Sequence, residues 1–230
     1  IRGAYNKWHN MLEVDSEIET PWRKFVIRKL SEIDLNGKRV LEIGCGRGGF
    51  AIWFAKKYGQ HYFEFVAADY SEIALLKAKN YANKFSLINI NWSQQDIMMM
   101  TFPDNSFDIV ISCETIEHVP KPYNAIKELY RVTKKGGLLI ITTPNYGNFY
   151  GLYRIWLRLT GRRWTEVGQP INKFVFYLKT KLWLKLAGFT ILYADSENIS
   201  YISPFTKKQI VINCSKPKCL LKMLGINSFF

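Results

Sequence analysis

The chain is poor in residues that cross-link or bind metals. Of its 230 residues, four are cysteine and three are histidine. Cys45, Cys113, Cys214 and Cys219 contain no Cys-x-x-Cys step, which removes the zinc-ribbon and thioredoxin-like readings. Cys45 and Cys113 end predicted central strands and read as small buried thiols in a reducing compartment. Cys214 and Cys219 are close enough in sequence to pair, but nothing in the composition argues for an oxidising environment. No apolar run approaches the roughly 18 residues of a membrane-spanning helix, and no signal peptide is visible. A cytoplasmic protein is expected, peripheral to a membrane at most. Internal repeats, low-complexity tracts and linkers are also missing, so residues 1–230 are expected to form one domain. At 48% hydrophobic and 15% aromatic, the chain can build one large core.

Acidic residues are scarce in one region only. Residues 1–145 carry 19 Lys+Arg against 16 Asp+Glu, a net of +3, whereas residues 146–230 carry 13 against 3, a net of +10. A near-neutral part is joined to a strongly basic one. Such asymmetry suits an acidic partner: a membrane surface, a phosphorylated substrate or nucleic acid. It also suits a plain solvated surface.

The most informative stretch is Val40-Leu41-Glu42-Ile43-Gly44-Cys45-Gly46-Arg47-Gly48-Gly49-Phe50. An apolar run meets a glycine cluster, and a helical pattern follows to Tyr58. Strand, tight turn and helix in that order place free helix N–H groups and bare glycine backbone beside a ligand. The glycines fit the dinucleotide spacing G-x-G-x-x-G and the spacing G-x-G-x-G equally well. Glu42 separates the two. A buried acid two residues before the first glycine repels a pyrophosphate and welcomes a cationic ligand.

Further strands and helices alternate along the chain. Phe65–Asp69 reads as a strand ending in an acid that can bond ribose hydroxyls. Tyr70 can lie against a base, and Ser71 caps a helix over Glu72 to Ala82. Leu87–Trp92, Phe107–Ser112 and Leu138–Thr143 read as strands, with Asp96 and Ile97 after the first of these. Tyr5–Leu12 and Glu17–Leu30 read as N-terminal helices within residues 1–36. Thr180–Ala187 reads as a helix, and Phe189–Ala194 and Gln209–Asn213 as two last strands. The alternation implies an α/β, Rossmann-like doubly wound sheet, with the site beyond the carboxyl ends of the strands.

Taken together, these motifs resemble the class I S-adenosylmethionine (SAM)-dependent methyltransferases, strongly over Val40–Asn145 and more loosely over Leu178–Asn213. The resemblance implies seven strands in the order 3-2-1-4-5-7-6, the last-formed antiparallel. It implies a cofactor site built from Glu42, Gly44, Cys45, Gly46, Asp69, Tyr70, Asp96, Ile97 and Cys113, in which Asp96 bonds the adenine amino group and Ile97 packs on its ring. Another nucleotide on a Rossmann-like domain is the competing reading.

Chemistry is expected after the fourth strand, at Cys113-Glu114-Thr115-Ile116-Glu117-His118-Val119-Pro120. Methyl transfer from a sulfonium is an in-line displacement, so the protein mainly aligns the acceptor and excludes water. A hydroxyl acceptor also loses a proton, and His118 is placed to take it. The plainer reading is that His118 shapes the pocket wall. Glu114, Glu117 and His118 fall at i, i+3 and i+4, a spacing that suits a divalent metal. This run resembles the ubiquinone-biosynthesis O-methyltransferases, whose matching residues are associated with such a metal. The lack of an Asp/Asn-Pro-Pro-Tyr segment disfavours amino methylation by that route. The expected acceptor is a hydroxyl on a small, lipid-linked or glycan-type molecule. RNA 2′-O-methylation and a non-catalytic SAM-binding module are the alternatives, although no separate RNA-binding module is evident.

The most individual segment runs from 146 to 172, a basic aromatic insertion. Phe149, Leu152, Tyr153, Trp156 and Leu157 repeat at helical spacing, and Arg154, Arg158 and Arg162 lie four apart on another face. Arg163 and Trp164 extend the pattern. It fits a lid with its aromatic face packed inward, and it fits an interfacial helix whose arginines hold anionic lipid. The tail Lys216–Leu224, also basic and apolar, is a second candidate for membrane contact.

Overall fold

The computed structural model describes residues 1–14, 20–59, 61–146, 149–161, 168–194, 198–202 and 209–213, with backbone alone at 21, 149, 150 and in the last two stretches. Two helices, α1 (Arg2–Asn10) and α2 (Pro21–Leu30), precede the sheet. Then β1 (Arg39–Ile43), α3 (Gly49–Tyr58), β2 (Glu64–Asp69), α4 (Glu72–Asn83), β3 (Asn91–Gln94) and β4 (Phe107–Cys113) alternate. A 3-10 turn over Ile116–His118 leads to α5 (Pro122–Val132), β5 (Thr133–Thr142), α6 (Phe149–Leu159) and α7 (Tyr177–Ala187).

Local chemistry sets these boundaries. Pro21 and Pro122 open α2 and α5, where the missing N–H costs nothing. The Ser71 hydroxyl accepts from the Ala74 N–H at 3.2 Å and caps α4. Gly188 closes α7 at φ 112°, and the Phe189 N–H returns to the Leu184 carbonyl at 3.0 Å.

The five strands are parallel, in the order β3-β2-β1-β4-β5. Alternation in each strand feeds two cores. Val40, Phe65, Ile109 and Ile111 face one side, where Phe50, Phe54 and Leu75 of α3 and α4 and Val26 and Leu30 of α2 cover them. Leu41, Val66 and Val110 face the other, against Ala125, Ile126 and Leu129 of α5 and Leu184 of α7. The register pairs Ile43 with Ala68, Asp69 with Gln94, and Cys113 with Thr142. All five carboxyl ends therefore meet along one edge.

Two strand expectations are corrected. β3 occupies Asn91–Gln94 in place of Leu87–Trp92, because pairing with β2 begins only at Asn91 and Ile88 before it points outward. Phe189–Ala194 is not a strand. Side chains at its two ends hold it: Phe189 lies edge-on to Tyr130, and Tyr193 stacks on Phe25. The last two strands are β6 (Asn198–Ile202) and β7 (Gln209–Asn213), which pair antiparallel with each other in a separate two-stranded sheet. The main sheet thus shows five strands of the expected seven-strand order. Residues 17–19 of the expected second helix, Arg162 to Trp164, Cys214, Cys219 and the tail lie outside the described residues.

Candidate functional site

A cavity of about 230 Å³ opens at the carboxyl edge of the sheet. Its wall includes Glu42, Gly44, Cys45, Gly46, Asp69, Tyr70, Asp96, Ile97 and Cys113, every residue expected on the cofactor side, together with Glu114 and His118.

The glycine turn has a different reason for glycine at each position. A Cβ on Gly44 would strike the Thr115 side chain, and one on Gly48 would sit 2.7 Å from the Ala78 Cβ, so these two let elements pack closely. Gly46 has φ 54°, and its nearest neighbour to such a Cβ is the His9 Cε1 at 3.9 Å. Its bare face looks toward the His9 ring at the cavity wall. The Gly44 and Cys45 N–H groups both donate to the Ala68 carbonyl, at 2.8 and 3.0 Å, and the Gly46 N–H donates to Asp69 Oδ2 at 2.8 Å. Three amides that could cradle a phosphate are therefore already occupied.

Two buried acids flank this turn. Asp69 accepts from Gly46 at one oxygen and from the Ser71 N–H at the other, 2.8 Å. Burial raises its carboxyl above the ordinary range, and those backbone N–H groups oppose the shift. Glu42 is 5% exposed, and its Oε2 has no hydrogen-bond partner among the described residues. Burial pushes its pKa up to about 8 against the pull of the Arg23 guanidinium. A cation bound here would draw off that proton and satisfy the carboxylate, a compensation that an anionic phosphate does not offer. Asp96 is half-buried and turns one oxygen back to the Met98 N–H at 2.8 Å. Cys45 and Cys113 are free and buried, and burial drives both thiols well above their usual value.

The acceptor side is more constrained than the spacing suggests. Glu114 has φ 49°, and its carboxylate accepts from the Thr142 hydroxyl at 3.0 Å. Glu117 is fully buried and accepts from the Thr143 hydroxyl at 2.9 Å. His118 Nδ1 lies 2.8 Å from the Ile171 carbonyl. A carbonyl only accepts, so Nδ1 carries the proton. Nε2 lies 3.3 Å from Glu117 Oε1, within ion-pair reach but misaligned for a hydrogen bond. The local backbone departs here from the helical spacing of these three residues. The left-handed backbone at Glu114 and the 3-10 turn after it break the helical face. No cluster of His, Cys, Asp or Glu among the described residues is arranged to hold a metal ion.

Several wall residues come from outside the alternating unit. Tyr5, Trp8 and His9 of α1, Trp22 and Arg23 of α2, and Gln169 of the insertion all line the cavity. Helix α1 docks on the start of α4 through Asn6, which donates to Glu72 at 3.0 Å and accepts from the Ser71 hydroxyl at 2.7 Å. The Tyr5 hydroxyl donates to the His118 carbonyl at 2.6 Å. Tyr5, Trp8 and His9 stand at i, i+3 and i+4, a one-face pattern that marks this helix as site-facing.

Helix α6 departs from the lid expectation, in which its aromatic face packs inward. Arg154 is buried at 4% exposure, its guanidinium over the rings of Tyr146 and Phe174, and Leu157 is buried beside it. Leu152, Ile155, Trp156 and Leu159, spaced i, i+3, i+4 and i+7, face outward with Arg158. Downstream, Ile171 bonds His118, and the Lys173 N–H donates to the Glu117 carbonyl at 2.7 Å. The far end of the insertion is therefore fastened to the acceptor turn.

Comparison with known proteins agrees with this architecture. Residues 41–141 match the family model described as a methyltransferase domain. The ubiquinone biosynthesis O-methyltransferase of Coxiella burnetii is 39% identical over 124 residues, 54% of this chain and 51% of that protein. The demethylmenaquinone methyltransferase of Geobacillus kaustophilus is 28% identical over 156 residues, covering 68% and 64%. The chain thus spans about half to two thirds of the length of these curated relatives. The crystal structure of a putative methyltransferase from Bacillus halodurans superposes with a TM-score of 0.62 at 23% identity, covering 76% of this chain and 74% of that one. The strand order, the glycine turn between two buried acids and the matched residues are together similar to those of the class I SAM-dependent methyltransferases.

Proposed function

We propose that the cavity binds SAM and that the chain transfers its methyl group to a hydroxyl of a small, quinone-type or other lipid-linked acceptor. One observation carries the cofactor reading. The buried Glu42, with an oxygen lacking a partner among the described residues, stands beside a glycine turn in which the Gly44, Cys45 and Gly46 amides are already occupied. Glu42 meets the cationic amino-acid and sulfonium end, Asp69 accepts from the ribose hydroxyls, and Tyr70, Asp96 and Ile97 receive the adenine. Cys45 and Cys113 complete the wall. Bound SAM supplies an activated methyl group and its own leaving group.

The residues after β4 serve the acceptor. His118 is the proposed base: with Nδ1–H held by Ile171, the lone pair lies at Nε2. The buried Glu117 carboxylate beside it would stabilise the imidazolium that forms. A second reading rests on the same bond, with His118 as an anchor for the insertion only. The acceptor class is supported by the names of the relatives, which act in ubiquinone biosynthesis or on demethylmenaquinone. The outward apolar stripe of α6 and the net +10 of residues 146–230 fit an anionic membrane surface, where such acceptors reside. On this reading the inner face of the insertion covers the cavity and its outer face meets lipid. Methyl transfer from labelled SAM to quinols, catechols and short RNAs tests the proposal. Labelled quinol or catechol is expected, and label in RNA alone overturns it.

A further inference from the structure

Helix α1 carries a polar side chain that lines the cavity and lies outside the matched residues 41–141. His9 is 6% exposed, and its ring lies over the bare face of Gly46. Arg47 Nη1 approaches His9 Nδ1 at 3.2 Å. A guanidinium only donates, so Nδ1 is the acceptor and the neutral ring carries its proton on Nε2. Burial and the charges of Arg47 and Lys77 lower its pKa to about 4, which keeps the ring neutral at ordinary pH. The ring is held on both sides, by Arg47 and by the edge-on Trp8 at 4.6 Å.

The same turn supplies the complementary group. Asp69 is bonded to the Gly46 N–H, so its carboxylate lies just beyond the glycine that His9 covers. Asp69 can only accept from a ligand, and His9 Nε2–H can only donate. A hydroxyl needs both. We infer that His9 is a second ribose-binding residue: its Nε2–H donates to one hydroxyl of the cofactor ribose while Asp69 accepts from the diol. This rests on the SAM reading, and it makes α1 part of the cofactor site.

The test compares ligands as well as variants. Wild type, His9→Phe and His9→Gln are titrated with S-adenosylhomocysteine and with its 2′-deoxy and 3′-deoxy analogues. Phenylalanine keeps the ring and its packing, and glutamine keeps an N–H donor. His9→Phe is expected to weaken S-adenosylhomocysteine by about tenfold, the scale of one hydrogen bond to a buried donor. It should leave one of the deoxy analogues nearly unchanged, because that analogue lacks the bonded hydroxyl. His9→Gln should recover part of the loss. An equal loss on all three ligands, or no loss on any, overturns the inference and makes His9 a packing residue while the cofactor reading stands. If wild type binds none of the three, the cofactor reading fails and the inference falls with it.

Discussion

The sheet half and the C-terminal part of this molecule obey different rules. Over residues 39–142 the central strands β1, β2 and β4 have cover on both faces, and the charge is nearly balanced. Beyond Asn145 the chain is strongly basic, and two helices leave leucines in solvent: Leu152 and Leu159 on α6 at 61% and 80% exposure, and Leu178, Leu182 and Leu186 on α7. A core that satisfies itself fixes a site. A surface that leaves apolar groups unsatisfied asks for a partner. The difference suggests that the first region binds the cofactor and the second meets the acceptor and its surroundings.

The largest expected effect breaks the acceptor side alone. His118→Gln should lower turnover by about 10²–10⁴-fold if Nε2 is the base, with SAM affinity kept. The pH–rate profile should lose its limb for a histidine base. If turnover falls only a few-fold and the profile keeps its shape, His118 is an anchor.

Next comes the cofactor side. Asp69→Ala strips acceptors from the Gly46 and Ser71 N–H groups as well as from the ribose. It should weaken SAM binding by about 10²-fold or more and lower stability by about 3 kcal/mol. Normal SAM binding by this variant would remove the ribose assignment.

Glu42 offers a pH-dependent contrast. Its folded pKa of about 8 lies above the ordinary carboxyl value, so the folded protein keeps a proton that the unfolded chain releases. The wild type therefore loses stability as pH rises from about 5 through about 8. Glu42→Gln has no such proton to lose. Its stability relative to wild type should improve by roughly 3–5 kcal/mol between pH 5 and pH 9, while SAM binding weakens. Parallel stability curves for the two proteins would show that burial does not control this acid.

The smallest effect on the fold belongs to the second region. Leu159→Glu with Arg158→Glu touches only exposed positions and should change stability by less than about 0.5 kcal/mol. It should nevertheless abolish sedimentation with anionic vesicles, binding that in the wild type falls as salt rises. Equal binding by both proteins, or none by either, removes the membrane contact and leaves the insertion as a lid.

Legibility in the sequence follows the same division. In a parallel sheet the carboxyl ends share one edge, so Gly44, Asp69, Asp96 and Cys113 could be placed together from strand endings alone. That logic stops where sidedness has two solutions. The α6 pattern shows one aromatic stripe and one arginine stripe, and only the rings of Tyr146 and Phe174 decide that Arg154 turns inward. Helical spacing likewise suggests that Glu114, Glu117 and His118 share one face, but a positive φ at Glu114 breaks that face and its carboxylate turns to Thr142, while Glu117 stays beside His118. The share of α1 in the site was unread because it precedes the alternating unit, although Tyr5, Trp8 and His9 keep one-face spacing.

The central claim is that two buried acids beside occupied amides select a cationic cofactor over a pyrophosphate. Titration calorimetry of the wild-type chain with SAM, NAD and NADP measures it directly. Saturable one-to-one binding of SAM, with NAD and NADP at least about 10²-fold weaker, is the expected result, a gap of roughly 2.7 kcal/mol. Tighter binding of NAD than of SAM would contradict the account.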